Sequence, residues 1–174
     1  MNLFEARRLA VSLMHQFGLS AWRLEFSKAK TRAGECRHDR RALVLSAPMV
    51  TVMSEPEVTE TVLHEIAHAL VGPDHGHDEV WRLTAQRIGA TGRVTLHTSA
   101  SPAHDWVGTC PQGHAAQRHR RPAHPMSCGA CAREFDLDSL VTWQFKGRAV
   151  PMTPAYRAEE AALKAAAGAL AQGA

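Results

Sequence analysis

His64-Glu65-Ile66-Ala67-His68 constrains this chain more than any other stretch. Two histidines four residues apart share one face of an α-helix, about 40° apart around its axis. Both imidazoles can then reach one metal ion. Glu65 follows the first histidine on a neighbouring part of that face, where it can hold a water and take its proton. The spacing works only on a helix, so the segment must fold as one, with one face to a core and another to a site. This is the HExxH arrangement of zinc peptidases, and it names metal-assisted hydrolysis as the chemistry.

The flanking residues supply that helix. Ser54 with Glu57 three residues on reads as a capping box, and Pro56 falls in the first turn, where a missing N–H does little harm. Val58, Val62, Ile66 and Leu70 recur every four residues as one apolar stripe, with His64 and His68 off it. Gly72-Pro73 ends the pattern. A helix of about four turns is expected.

Catalytic zinc usually takes three protein ligands and leaves one position open. The stretch Asp74-His75-Gly76-His77-Asp78-Glu79-Val80-Trp81 offers His77, His75 and, as a carboxylate alternative, Glu79. His77 is preferred. A second helix is expected to begin near it, with Val80 or Trp81, then Thr84 or Ala85, then Ile88 facing inward and Gly89 as its stop. Trp81 would then lie four residues after His77 and pack beside it. His75 falls in the turn, as the alternative third ligand or a residue behind it.

At this point the chain resembles the SprT-like zinc metallopeptidases, the family that includes Spartan-type proteases. The resemblance rests on His64-Glu65-Ile66-Ala67-His68-Ala69-Leu70, a short loop, and Gly76-His77 with Trp81 four residues on. It extends upstream to Trp22-Arg23-Leu24-Glu25-Phe26, Ala33-Gly34-Glu35-Cys36 and Ala42-Leu43-Val44-Leu45-Ser46. It covers about residues 3–90 and, more loosely, the cysteine region to about 145. It implies an α+β, zincin-like domain with His77 as the third zinc ligand, and a strand edge beside the active helix that pairs with an extended peptide. It also implies action on proteins crosslinked to DNA, with DNA as activator. Asp78 stands where the family usually has a second glycine.

The remaining chain fits an α+β order. Residues 2–17 have helical spacing ending at Gly18; Trp22, Leu24 and Phe26 alternate as a strand; short strands through Cys36 and over Leu43-Val44-Leu45 complete an expected antiparallel meander. Pro48 to Pro56 reads as a connection. Gly89, Gly92, Ser99, Ser101 and Pro102 mark a loop or linker, which places a domain boundary near residue 100. The expected division is 1–100 as catalytic domain, 101–150 as a zinc-ribbon-like segment and 151–174 as an Ala-rich, frayed helical tail.

Cys110-Pro111-Gln112-Gly113-His114 followed by Cys128-Gly129-Ala130-Cys131 is a C-x3-H with a later C-x2-C. Two such pairs close a structural zinc site, and in a segment this small the ion would supply folding energy. Cys110, His114, Cys128 and Cys131 are the expected ligands, with His119 and His124 competing for the fourth place. Leu140 to Phe145 reads as a last strand. Trp106, Phe135, Trp143 and Phe145 read as ribbon core in preference to a base-stacking surface. Cys36, the cysteine left over, reads as an ordinary buried thiol.

With 20 basic and 17 acidic residues, net charge alone says little about partners. The distribution says more. Basic residues gather between Arg23 and Arg41, and again at Arg118, Arg120 and Arg121, the candidate nucleic-acid contacts. No apolar run is long enough to span a bilayer, and the N-terminus does not read as a signal peptide, so a cytoplasmic location without membrane partner is expected, nucleoid-associated if DNA is bound.

The expected function is therefore a zinc-dependent peptidase with one catalytic and one structural zinc. His64, His68 and His77 are its ligands and Glu65 its general base, acting on a protein or peptide substrate, with single-stranded DNA as the favoured further partner. The rivals are a zinc peptidase with no DNA link and a non-catalytic zinc-ribbon nucleic-acid-binding protein.

Overall fold

The computed structural model describes residues 1–95, 98 and 101–172, and the chain forms two compact units, Met1–Pro102 and Ala103–Ala174. Ser99 and the expected boundary near residue 100 lie outside the described residues.

In the first unit, helix α1 (Leu3–Gln16) starts at a capping box: Glu5 N donates to Asn2 Oδ1 at 2.9 Å and Asn2 N donates to Glu5 Oε2 at 3.1 Å. Its buried face is Ala6, Ala10 and Met14. Three short strands follow, β1 (Arg23–Ser27), β2 (Gly34–Arg37) and β3 (Ala42–Ser46), in the order β1-β3-β2. They are not the expected meander. β1 runs parallel to β3, and only β2 is antiparallel to it. All five residues of β3 are buried. The chain crosses from β1 to the far edge as β2 and returns through the middle; β3, apolar from Ala42 to Leu45 and buried throughout, takes the centre.

The expected connection after β3 contains a short helix, α2 (Ala47–Val50), capped by Ser46 Oγ accepting from Met49 N at 3.1 Å. Helix α3 (Glu55–Val71) then runs through the HExxH residues. Both the backbone N–H and the hydroxyl of Ser54 donate to Glu57 Oε2, at 2.7 and 2.8 Å. Val58, Val62 and Ile66 are buried with residues of α1 and the sheet, but Leu70 is 41% exposed. A four-residue spacing drifts by about 40° at each step, so the fourth member has turned off the core face. Leu63 and Ala67 instead pack with Trp81, Ala85 and Ala90, on and just after helix α4 (Glu79–Arg87).

Helix α4 begins two residues later than His77. Asp78 is its N-cap, accepting from Trp81 N at 3.0 Å. His77 thus precedes the helix instead of sharing it with Trp81.

The second unit is an antiparallel sheet of β4 (Trp106–Thr109), β5 (Ala115–Arg118), β6 (Thr142–Phe145) and β7 (Arg148–Ala149), in the order β5-β4-β6-β7. Trp106, Val141, Trp143 and Tyr156 form its core with Cys110 and Cys128. Trp106 and Trp143 are core residues as expected, whereas Phe135 is 50% exposed. Gly108 permits the close packing, since a Cβ there would lie 2.3 Å from Val141 Cγ1. Helix α5 (Pro154–Gln172) carries the Ala-rich segment. Its first turn is held by buried Tyr156, and His124 Nδ1 pairs with Glu159 Oε2 at 2.8 Å.

Candidate metal centres and the Glu65 cavity

Helix α3 presents His64 and His68, and the turn before α4 returns His77 to meet them. His77 Nε2 lies 3.0 Å from His64 Nε2 and 3.1 Å from His68 Nε2. Ligands at zinc–nitrogen bond lengths around a tetrahedral ion sit about 3.3 Å apart, so the three nitrogens are already near the spacing one ion requires. The donor set fits zinc, which favours imidazole nitrogen and tetrahedral geometry.

Trp81 is 1% exposed and touches all three imidazoles. Its ring centroid lies 4.7 Å from that of His64, 5.2 Å from that of His68 and 4.6 Å from that of His77. One indole therefore backs the whole triad. The first turn of α4 fixes Trp81, and the Asp78 cap fixes that turn. Asp78 also holds His75, whose Nδ1 lies 2.7 Å from Asp78 Oδ2. His75 is thereby tied outside the triad, and Glu79 pairs with Arg82 at 2.8 Å. Asp78 is thus a helix cap that also ties His75 away from His77, while Arg82 engages Glu79.

Burial holds His64 down to about 4, with His77 adding to the effect, and burial with His64 and His77 does the same to His68. Both rings are neutral at pH 7, the form that binds metal. The rings are also oriented from behind. His64 hydrogen-bonds to the backbone of Arg93 and His68 to that of His75.

Glu65 is 7% exposed and faces the sheet side of the same cavity. Burial pushes its carboxyl up to about 7; nearby Arg32 opposes the shift and Glu35 adds to it. The cavity has a volume of ≈ 790 Å³, and His64, Glu65, His68 and His77 all line it. Cys36 lines it too. Burial and the charge of Glu65 push this thiol up to about 12, so it stays protonated. It is half-buried on the cavity wall, not the buried thiol expected, with His38 Nε2 3.6 Å from its Sγ.

One wall of the cavity has no counterpart in the sequence reading. Thr91, Arg93, Val94 and Thr95 belong to the stretch read as linker, yet they line the cavity. Glu60 anchors them: Thr91 N donates to Glu60 Oε1 at 2.9 Å, and Thr91 Oγ1 donates to the same oxygen at 2.6 Å. Glu60 lies one turn before His64 on α3, and that position was the only available hint.

In the second unit the cysteine segment closes on itself. Cys110, His114, Cys128 and Cys131 offer four ligand atoms all within 4.8 Å of one another. His114 Nδ1 lies 3.6 Å from Cys110 Sγ and 3.2 Å from Cys131 Sγ. The competing histidines are engaged elsewhere. His119 stacks on His104 with ring centroids 3.9 Å apart, and His124 pairs with Glu159. Two thiols, an imidazole and a third thiol suit a structural zinc.

Arg118, Arg120 and Arg121 are exposed at and beyond the outer strand β5. Arg121 lies over the Trp106 ring at 5.1 Å, and Arg118 donates to the Gln117 carbonyl at 2.9 Å. Among the described residues no helix is long and apolar enough to cross a membrane.

No curated protein matches the chain. The model of the SprT-like family matches residues 6–101, from α1 through α3, His77 and α4 to the Thr91 wall, and the chain belongs to that family.

Proposed function

We propose that the chain is a zinc-dependent endopeptidase with a zincin-like catalytic unit, and that His64, His68 and His77 hold its catalytic zinc. The observation that carries this reading is the convergence of three Nε2 atoms, at 3.0–3.1 Å, in a cavity that also receives a buried glutamate. A zinc ion bound there supplies a water acidified toward a pKa of about 7 and polarises the scissile carbonyl. Glu65 accepts a proton on a carboxylate oxygen and later delivers it to the leaving amine. In the metal-free protein burial raises its carboxyl to about 7, well above the ordinary carboxylate range. Trp81 excludes water from behind the triad and fixes the rings. β2 is a half-buried edge strand next to α3, and in this reading an extended substrate pairs along it.

The second zinc, on Cys110, His114, Cys128 and Cys131, is structural in this reading and binds no substrate. Exposed Arg118, Arg120 and Arg121 favour proteins on nucleic acid as substrates, with single-stranded DNA as the further partner and a nucleoid-associated, cytoplasmic location. The test is proteolysis of a generic protein substrate with and without single-stranded DNA, alongside metal analysis. Two zinc ions per chain and cleavage stimulated by DNA support the whole reading. Cleavage indifferent to DNA leaves the peptidase and removes the DNA link. DNA binding without cleavage refutes the peptidase.

A further inference from the structure

Gly34 opens β2, the edge strand packed against α3. A Cβ added there would lie 2.6 Å from Glu65 Oε1, 2.8 Å from its Cγ and 3.0 Å from its Cδ. Carbon atoms in contact normally stay about 3.5–4.0 Å apart, so a methyl group and the Glu65 side chain cannot share this space. All three of the nearest atoms belong to Glu65. The backbone does not demand glycine here, because Gly34 is not among the residues with positive φ. Gly108 makes a useful contrast, since its close neighbours are the core side chains of Val141 and Trp143. The space at Gly34 is given to a buried carboxylate instead. Two residues along the strand, the Cys36 backbone hydrogen-bonds to that carboxylate. The edge strand therefore forms a slot, open at residue 34 and closed by a donor at residue 36.

We propose that Gly34 is a positioning residue for the reaction: its missing side chain is the slot that seats the Glu65 carboxylate against β2. This rests on the reading of Glu65 as the base. A side chain at position 34 pushes the carboxylate out toward the cavity and off its proton-transfer geometry. The three imidazoles are held from the other side, by Trp81 and the Asp78 cap, so they stay in place. Sub-ångström to ångström misplacement of a catalytic group costs on the order of 10²-fold in rate.

The experiment uses the full chain loaded with zinc, as wild type, Gly34→Ala, Glu65→Gln and the double variant. Gly34→Ala is expected to keep wild-type zinc content and affinity in a chelator competition. Its kcat should fall about 10²-fold with little change in KM. Added to Glu65→Gln, it should cause no further loss, since the group it displaces is already disabled. Wild-type kcat in Gly34→Ala overturns the inference, as does an equal loss of zinc. So does a further 10²-fold loss on top of Glu65→Gln. Wild-type turnover in Glu65→Gln instead refutes the underlying assignment of the base. A thermal measurement keeps the proposal testable even if Gly34→Ala folds poorly. Glu65→Ala empties the space facing the added methyl, so Gly34→Ala should lower Tm in the wild-type background and leave it unchanged in the Glu65→Ala background. An equal drop in both places the clash elsewhere and overturns the inference.

Discussion

Replacing Trp81 by Ala separates two contributions of the same side chain, one to the fold and one to the metal site. The indole is 1% exposed and packs with Leu63, Ala67, Ala85 and Ala90. A tryptophan buries about 150–250 Å², which at about 25 cal/mol per Å² corresponds to roughly 4–6 kcal/mol, near the 3–5 kcal/mol seen for large aromatic truncations. The zinc-free variant should therefore lose about 3–5 kcal/mol of unfolding free energy in urea. The second effect appears on adding zinc. Free zinc at about a thousand times Kd stabilises a wild-type site by about 4 kcal/mol, and each tenfold loss in affinity removes about 1.4 kcal/mol of it. Because Trp81 touches all three imidazoles, the zinc-dependent increment should shrink by at least one such step. Paired urea titrations, with chelator and with buffered zinc, measure both quantities. A zinc-free loss below about 1 kcal/mol would show that the indole is not part of the core. An undiminished zinc increment would show that something other than Trp81 holds the rings.

Three further outcomes follow from named contacts. Glu65 has its carboxyl raised by burial from 4.5 to about 7. A raised folded-state pKa contributes stability that is present below about 4.5 and lost as pH rises through about 7, so zinc-free Glu65→Gln should be more stable than wild type at pH 8, by up to about 3 kcal/mol, and the gap should close toward pH 4.5. No gap at pH 8 in denaturant titrations would mean that Glu65 is not desolvated. Cys128→Ser should reduce zinc from two ions to one and unfold the β4–β7 unit, seen as lost near-ultraviolet signal from Trp106 and Trp143; two retained ions would contradict the four-ligand site. Glu60→Ala removes the acceptor for both Thr91 donors. Amide exchange at Thr91 should accelerate by at least tenfold, matching about 1.5–3 kcal/mol for hydrogen bonds to a charged group, and unchanged exchange would show that the wall is held by other contacts.

The helix carrying His64, Glu65 and His68 was legible because everything that specifies it is local. Ser54 and Glu57 cap it, Val58, Val62 and Ile66 bury one face, and His64 and His68 share another. The sheet was less legible. Alternation at Trp22, Leu24 and Phe26 marks a strand but names no neighbour, and the central place of β3 depends on pairing with residues far along the chain. Asp78 looked like a departure from a pattern because the second helix was expected to start near His77; its actual roles, capping α4 and tethering His75, are local contacts three residues to either side. The Thr91 wall was missed because its anchor is distant in sequence. Its glycines and small residues read correctly as irregular backbone, but its attachment to Glu60 spans 31 residues. The clustering of Cys110, Cys128 and Cys131 was legible from spacing, while the place of His114 in it over His119 and His124 required seeing the other two engaged with His104 and Glu159.

The most direct test of the central claim is a comparison of purified wild-type protein and Glu65→Gln for zinc content and for cleavage of an unfolded protein substrate. If three imidazoles hold the ion and Glu65 moves the proton, both proteins contain the same zinc, and only the wild type cleaves, in a manner abolished by chelation and restored by zinc. Cleavage by Glu65→Gln at the wild-type rate would contradict the account, as would wild-type cleavage that persists after the ion is removed.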